Sequence, residues 1–200
     1  MRKAIQHLRS SDPILGAIIG RVGGLQMQYR EPTFEAMVRA IVYQQLSGRV
    51  ASVIYGRFEA LVKGSVTPDV ILGGSPEEMR ACGLSGQKSA YIRDLAEKTK
   101  SKQVVFEKLP DMSDADVIAH LTAVKGIGVW SAHMFLIFAL RRPDILPTGD
   151  LGVRTAVKNA FGLEALPSPA ALEEIGAKWR PYCSVAAWYL WRSLDGPAEM

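Results

Sequence analysis

Three times in this chain a hydroxyl residue is followed directly by proline: Thr67-Pro68, Ser75-Pro76 and Ser168-Pro169. Each pair closes one element and opens a helix. The hydroxyl accepts an orphan amide, and proline suits the first helical position, where a missing N–H costs nothing. Between these marks the apolar residues keep a helical rhythm. Thr33 precedes "FEAMVRAIVYQQL", in which Phe34, Met37, Val38, Ile41 and Val42 recur at a three-to-four spacing. Ser47 can cap a helix running to Gly64, and 86–100 carries a stripe of Ile92, Leu95, Ala96 and Thr99. Ser113 and Asp116 suggest a capping box opening a helix over 113–124. Further helices are expected over 129–140, 151–161, 168–178 and 182–194. No stretch alternates with period two, and only "QVVF" (103–106) reads as strand-like. The expectation is an all-α chain of about a dozen helices, with "RRPDILPTG" (141–149) as its clearest loop.

Size and composition narrow the function classes. Two hundred residues, 48% apolar and 22% charged, suit one sizeable core or two small lobes. The longest apolar run, "VWSAHMFLIFAL" (129–140), is too short to span a bilayer and reads as a buried helix. The basic start lacks the apolar run of a signal peptide. Cys82 and Cys183 are expected as reduced thiols in an intracellular protein. Two cysteines cannot supply the four thiolates of an iron–sulfur cluster or of an all-cysteine zinc site. His120 and His133 lie on helices at no metal-ligand spacing. The net charge of +4 permits a polyanionic partner without establishing one.

The segment "VKGIGVW" (124–130) places two glycines and a tryptophan at a helix junction. Glycine admits positive φ and close approach of another backbone. Amides in such a turn and at the next helix start lack intrahelical partners and attract anions, phosphate among them. A plain helix–helix turn would need the same glycines. Twenty-odd residues further on, Asp150 stands within "LPTGDLGVR" (146–154), where it also suits an N-cap. A loop over 141–149 reaches roughly 30 Å extended, against about 18 Å for helix 129–140. Asp150 can therefore return alongside that helix.

"LTAVKGIGVWSA" (121–132) resembles the helix-hairpin-helix motif, and the glycine- and proline-bearing loop ending at Asp150 resembles the segment that follows it in the HhH-GPD superfamily of DNA base-excision glycosylases. "RAIVYQQLSGRVA" (39–51), "GLSGQKSAYIRDLA" (83–96) and "WRPYCSVAAWYLW" (179–191) resemble, within it, the 3-methyladenine DNA glycosylase II family. The likeness spans roughly 30 to 195. It implies a two-lobed helical fold, with 34–142 carrying the hairpin, 1–33 plus 143–200 forming the second lobe, and the active site between them. It implies hydrolysis of the N-glycosidic bond of alkylated purines of the 3-methyladenine type in double-stranded DNA, as part of base-excision repair.

Residue by residue, the resemblance assigns Asp150 as the catalytic carboxylate. Trp130, Tyr182 and Met134 would line the base pocket; Met134 departs from the tyrosine of the best-known relatives. Lys125, Gly126, Ile127 and Gly128 would meet the DNA backbone, and Gln44, Gln45 and Leu46 the minor groove, with Gln45 or Leu46 as the wedge. Lys88 and Arg49 are phosphate candidates. Trp179, Trp188 and Trp191 read as core of the last helices. The backbone carbonyls of Thr122, Val124 and Ile127 would hold a monovalent cation, Na⁺ or K⁺. No cofactor is required and no iron–sulfur cluster is expected. The partner is duplex DNA, with no membrane; the chain is expected as a monomer in the cytoplasm, or in the nucleus of a eukaryote. Bifunctional relatives carry a Schiff-base lysine where this chain has Trp130, which favours hydrolysis without lyase activity. Three alternatives stay open: a non-catalytic hairpin protein that binds DNA, a bifunctional glycosylase/lyase acting on oxidised bases, and a helical protein-interaction module.

Overall fold

The computed structural model describes residues 1–195. Its α-helices are α1 (Arg2–Ser11), α2 (Pro13–Val22), α3 (Phe34–Tyr43), α4 (Gly48–Leu61), α5 (Pro68–Gly73), α6 (Pro76–Ala81), α7 (Gly86–Lys100), α8 (Asp114–Thr122), α9 (Val129–Phe138), α10 (Leu151–Phe161), α11 (Pro169–Gly176) and α12 (Cys183–Arg192). Short 3₁₀ turns cover Phe106–Asp111 and Ala177–Trp179. No strand occurs among the described residues, so the all-α expectation holds. None of these helices is long and apolar enough to cross a membrane.

The start signals work as the sequence implies. Thr33, Ser47, Thr67, Ser75, Ser113 and Ser168 each accept a backbone N–H at a helix start. The reciprocal capping box forms at Ser75 and Glu78. At Ser113 the expected capping box does not close: the hydroxyl accepts the Asp116 amide, but the Asp116 carboxylate takes that hydroxyl instead of the Ser113 amide. Helix ends come earlier than periodicity alone suggests. α3 stops at Tyr43 rather than including Gln44 and Gln45, and α4 stops at Leu61, before the left-handed Gly64. The strand-like reading of 103–106 is corrected. Lys102 turns at φ 60°, and Val104 and Phe106 plug the interior of a connector. Phe106 meets Phe34 and Phe135 edge-on, so apolar, β-favouring residues here serve packing rather than a ladder.

The chain divides into two compact units: Arg30–Leu140, and Met1–Tyr29 together with the chain from Arg141. The first holds α3 to α9. Its core sets Met37, Val38, Ile41 and Val42 of α3 with Ile92, Leu95 and Ala96 of α7, all buried. α8 and α9 pack as an antiparallel pair joined by the hairpin. The second holds α1, α2 and α10 to α12. Here α12 is the hub: every residue from Cys183 to Leu190 is buried, and it packs on α2 and α10. Both cysteines are free and buried.

A polar lock joins the ends of the second unit. Asp12, fully buried, caps α2 through the amides of Ile14 and Leu15. It also accepts the Trp179 indole N–H at 2.8 Å and faces the Lys178 ammonium at 3.3 Å. Removing that carboxylate orphans a buried indole donor and two amides at once. Asp12→Ala should lower unfolding free energy by about 2–4 kcal/mol, read as a shifted denaturant midpoint.

Candidate active site

The two hairpin glycines answer different needs. Gly126 has φ 78°, and a Cβ there would lie 2.0 Å from the Tyr91 ring. Gly126 is thus required by conformation and by close packing. Gly128 is extended (φ −91°, ψ 174°), and a Cβ there would have no neighbour within 4 Å among the described residues. Its missing side chain leaves the start of α9 bare. No side chain caps that start, while Gly128's own carbonyl accepts the Ala132 amide. A helix start without a side-chain cap is the kind of position that attracts anions. Val124 and Ile127 bury their side chains and close the turn through Ile127 N–H to Val124 O at 3.1 Å, leaving Lys125, Gly126, Gly128 and Val129 exposed.

Asp94 of α7 fastens this hairpin. Its Oδ2 accepts the Lys125 N–H at 2.8 Å and the Lys98 ammonium at 2.6 Å. Burial pushes the Asp94 carboxyl up, but those hydrogen bonds and the charges of Lys98 and Lys125 outweigh it and hold it below the ordinary range. The stabilisation is therefore fully present above the unfolded-state pKa of about 4 and is lost as pH falls through the lower folded value. Asp94→Asn should cost about 1–3 kcal/mol and flatten that acid limb, as measured by thermal melting across pH 2–6.

The turn after α3 lies against the hairpin. Gln44 Nε2 donates to the Gly126 carbonyl at 3.0 Å, with Ser131 Oγ at 3.5 Å. Gln45 sits at φ 56°, and Gln45, Leu46 and Arg49 are exposed. Lys88, expected at a phosphate, instead directs its ammonium to the carbonyls of Val42 and Gln44, each at 2.7 Å. On α9, Trp130 is half exposed, so it is not the plain core residue a helix junction would permit, and Met134 one turn on is half-buried.

In the other unit Asp150 caps α10 and is only 7% exposed. Its Oδ1 accepts the Val153 N–H at 2.7 Å and the Trp191 indole N–H at 2.8 Å. The loop delivering it is pinned to α12. Ser184 Oγ donates to the Arg142 carbonyl at 2.6 Å and accepts the Ile145 N–H at 3.0 Å. The Ser184 amide reaches the Pro143 carbonyl, and Cys183 N–H reaches Asp144. Ile145 and Leu146 are buried, and Asp150 N–H turns back to the Pro147 carbonyl. Gly152 lets the pair close: a Cβ there would lie 3.0 Å from the Trp191 ring and 3.1 Å from Asp150 Oδ1. Tyr182, half-buried, sets its ring edge-on to His7 at 5.5 Å.

Ser184, Trp191 and Gly152 escaped the sequence reading. Trp191 reads as one more core tryptophan. The available signal is its place two turns after Ser184, on one face of α12.

A helical fold with a glycine hairpin, a helix start that no side chain caps and a buried, hydrogen-bonded aspartate fits a helix-hairpin-helix base-excision protein. The chain belongs to that family: residues 38–181 match the HhH-GPD superfamily base excision DNA repair protein family. It is 32% identical to DNA-3-methyladenine glycosylase 1 of Schizosaccharomyces pombe, over 96% of this chain and 87% of that one. Among solved structures, the 3-methyladenine DNA glycosylase Mag1 of that yeast, in complex with abasic DNA, matches with a TM-score of 0.84 at 34% identity, covering 94% and 95% of the two chains. A DNA-3-methyladenine glycosidase from Bacillus halodurans matches with a TM-score of 0.83 at 37% identity, over 94% and 87%.

Trp191→Phe keeps an aromatic ring, though a smaller one, and removes one donor to Asp150. Base release should fall about 10–100-fold and the melting temperature should drop by a few degrees, as read by single-turnover kinetics and thermal melting.

Proposed function

We infer that this chain is a monofunctional DNA glycosylase that hydrolyses the N-glycosidic bond of alkylated purines of the 3-methyladenine type in double-stranded DNA. The observation that carries it is Asp150: a buried carboxylate fixed by two N–H donors, in a chain of this family. Departure of the base leaves an oxocarbenium-like sugar. A fixed carboxylate stabilises that cation and orients, or takes a proton from, the attacking water. The bond to the base breaks as the C–O bond to water forms, and the base leaves with the electron pair. An N-alkylated purine carrying positive charge is already a good leaving group, so a strong general acid is unnecessary.

The lesion must first leave the stack. The rings of Trp130 and Tyr182 are assigned to hold it, each π-face adding about 0.5–2 kcal/mol of cation–π attraction. Met134 shapes the lesion range. Lys125, Gly126, Ile127 and Gly128 are assigned to face the sugar–phosphate chain; Asp94 and Val124 already take the Lys125 and Ile127 N–H groups, so the grip, which reads no sequence, is assigned to the N–H groups of Gly126 and Gly128. Trp130 offers no amine for a Schiff base, which supports hydrolysis over lyase chemistry.

The carbonyls of Thr122, Val124 and Ile127 are proposed to hold Na⁺ or K⁺, which would neutralise a gripped phosphate. Carbonyls are hard oxygen donors suited to such ions, and the Val124 oxygen, accepting one N–H, keeps a second lone pair.

Asp150→Asn preserves an oxygen for the Val153 cap. It should cut release of methylated base from duplex DNA by about 10²–10³-fold or more while DNA affinity stays within about threefold. Full activity in that variant would remove Asp150 from the chemistry. Failure of the unaltered protein to free any base would leave only a DNA-binding role, and a borohydride-trapped adduct would indicate a lyase.

A further inference from the structure

We propose that Lys88 is a positioning residue: from α7 it holds the turn Gln44–Leu46 against the phosphate-gripping hairpin, so that the turn can press into the duplex without yielding. The inference rests on the glycosylase reading and goes beyond it. Three residues on one face of α7 reach the two exposed loops. Lys88 takes the carbonyls of Val42 and Gln44, the Tyr91 ring lies against Gly126, and Asp94 takes the Lys125 amide. Gln44 ties the loops to each other through the Gly126 carbonyl. α7 itself is anchored by buried Ile92, Leu95 and Ala96.

The turn needs such a brace. The last carbonyls of α3 have no intrahelical partner, and a cation at a helix C-terminus satisfies both their lone pairs and the dipole. Gln45 occupies a left-handed conformation that persists only where its surroundings enforce it. Gln45 and Leu46 alone remain exposed in the turn, one residue from the hydrogen bond to the hairpin. Displacing a stacked base loads this segment, and the hairpin's hold on the phosphate is what it pushes against. Half-burial pulls the Lys88 ammonium below its ordinary pKa, as fits a strut facing inward rather than a solvated surface charge.

The test compares Lys88→Met, Lys88→Arg and Gln44→Ala on one duplex carrying a site-specific alkylated purine, either paired or opposite an abasic site, where no pairing holds it. Lys88→Met should slow release of the paired lesion about 10–100-fold and of the unpaired lesion less than about threefold. Lys88→Arg should recover most of the rate, and Gln44→Ala should show the same paired-selective loss should Lys88→Met fold poorly. The slope of log affinity against log salt should stay unchanged. A slope reduced by about 0.9 would make Lys88 a phosphate contact instead. Equal slowing on both substrates, or no slowing, overturns the proposal. Absence of release by the unaltered protein fails the glycosylase reading, a separate result.

Discussion

One oxygen atom, Asp150 Oδ1, accepts both the amide that starts α10 and the indole N–H that ends α12. A carboxylate this buried persists only when hydrogen-bonded, so its two donors are conditions of the fold as well as of any chemistry. Around it the loop has little freedom. Ser184 takes both a carbonyl and an amide from 142–145, two apolar residues anchor the middle, and Gly152 leaves room for the indole to approach. The side chain that would face a forming cation is thereby set before any substrate arrives. Catalysis by electrostatics depends on that, because a carboxylate free to reorient would spend its interaction on its own ordering.

The hairpin solves the opposite problem with the same economy of parts. Asp150 is held by donors, whereas no side chain caps the start of α9. Gly126 turns the chain over Tyr91, Asp94 ties the turn from behind, and Gly128 leaves the amides uncapped. A serine at 128 would be a better helix cap in isolation. It would also occupy amides that the proposed phosphate contact needs, so on that proposal local helix stability is given up for an anion site.

Much of this was legible in the residues. The capping hydroxyls, the Thr-Pro and Ser-Pro pairs and the helical stripes fixed element type and number because they act within a turn of chain. The hairpin with its downstream aspartate pointed to the family because both halves are local patterns. What was hidden was long-range. Trp191 and Asp150, or Lys88 and the Val42 carbonyl, are far apart in sequence and meet only through packing. Lys88 was expected at a phosphate because a lysine on a polar helix face has no visible partner in the sequence; the backbone oxygens that claim it leave no trace in side-chain pattern. The "QVVF" segment misled because β-branched residues fill a core plug as readily as a strand.

An all-α chain satisfies nearly every backbone group inside its helices, so unpaired N–H and C=O groups concentrate at helix ends. That fact organises this molecule. The start without a side-chain cap belongs to α9, the carbonyls taken by Lys88 lie at the end of α3, the aspartate at the start of α10, and the loop contacts of Ser184 at the start of α12. Helix interiors supply only apolar stripes and spacing. A partner recognised without reading bases, through its phosphates and its deformability, suits such a fold, because helix starts present backbone donors whose strength does not depend on sequence. Specificity must then come from the few side chains that project beyond those ends, and on the pocket role proposed for Met134 an aromatic residue there would alter the lesion range more than the grip on DNA.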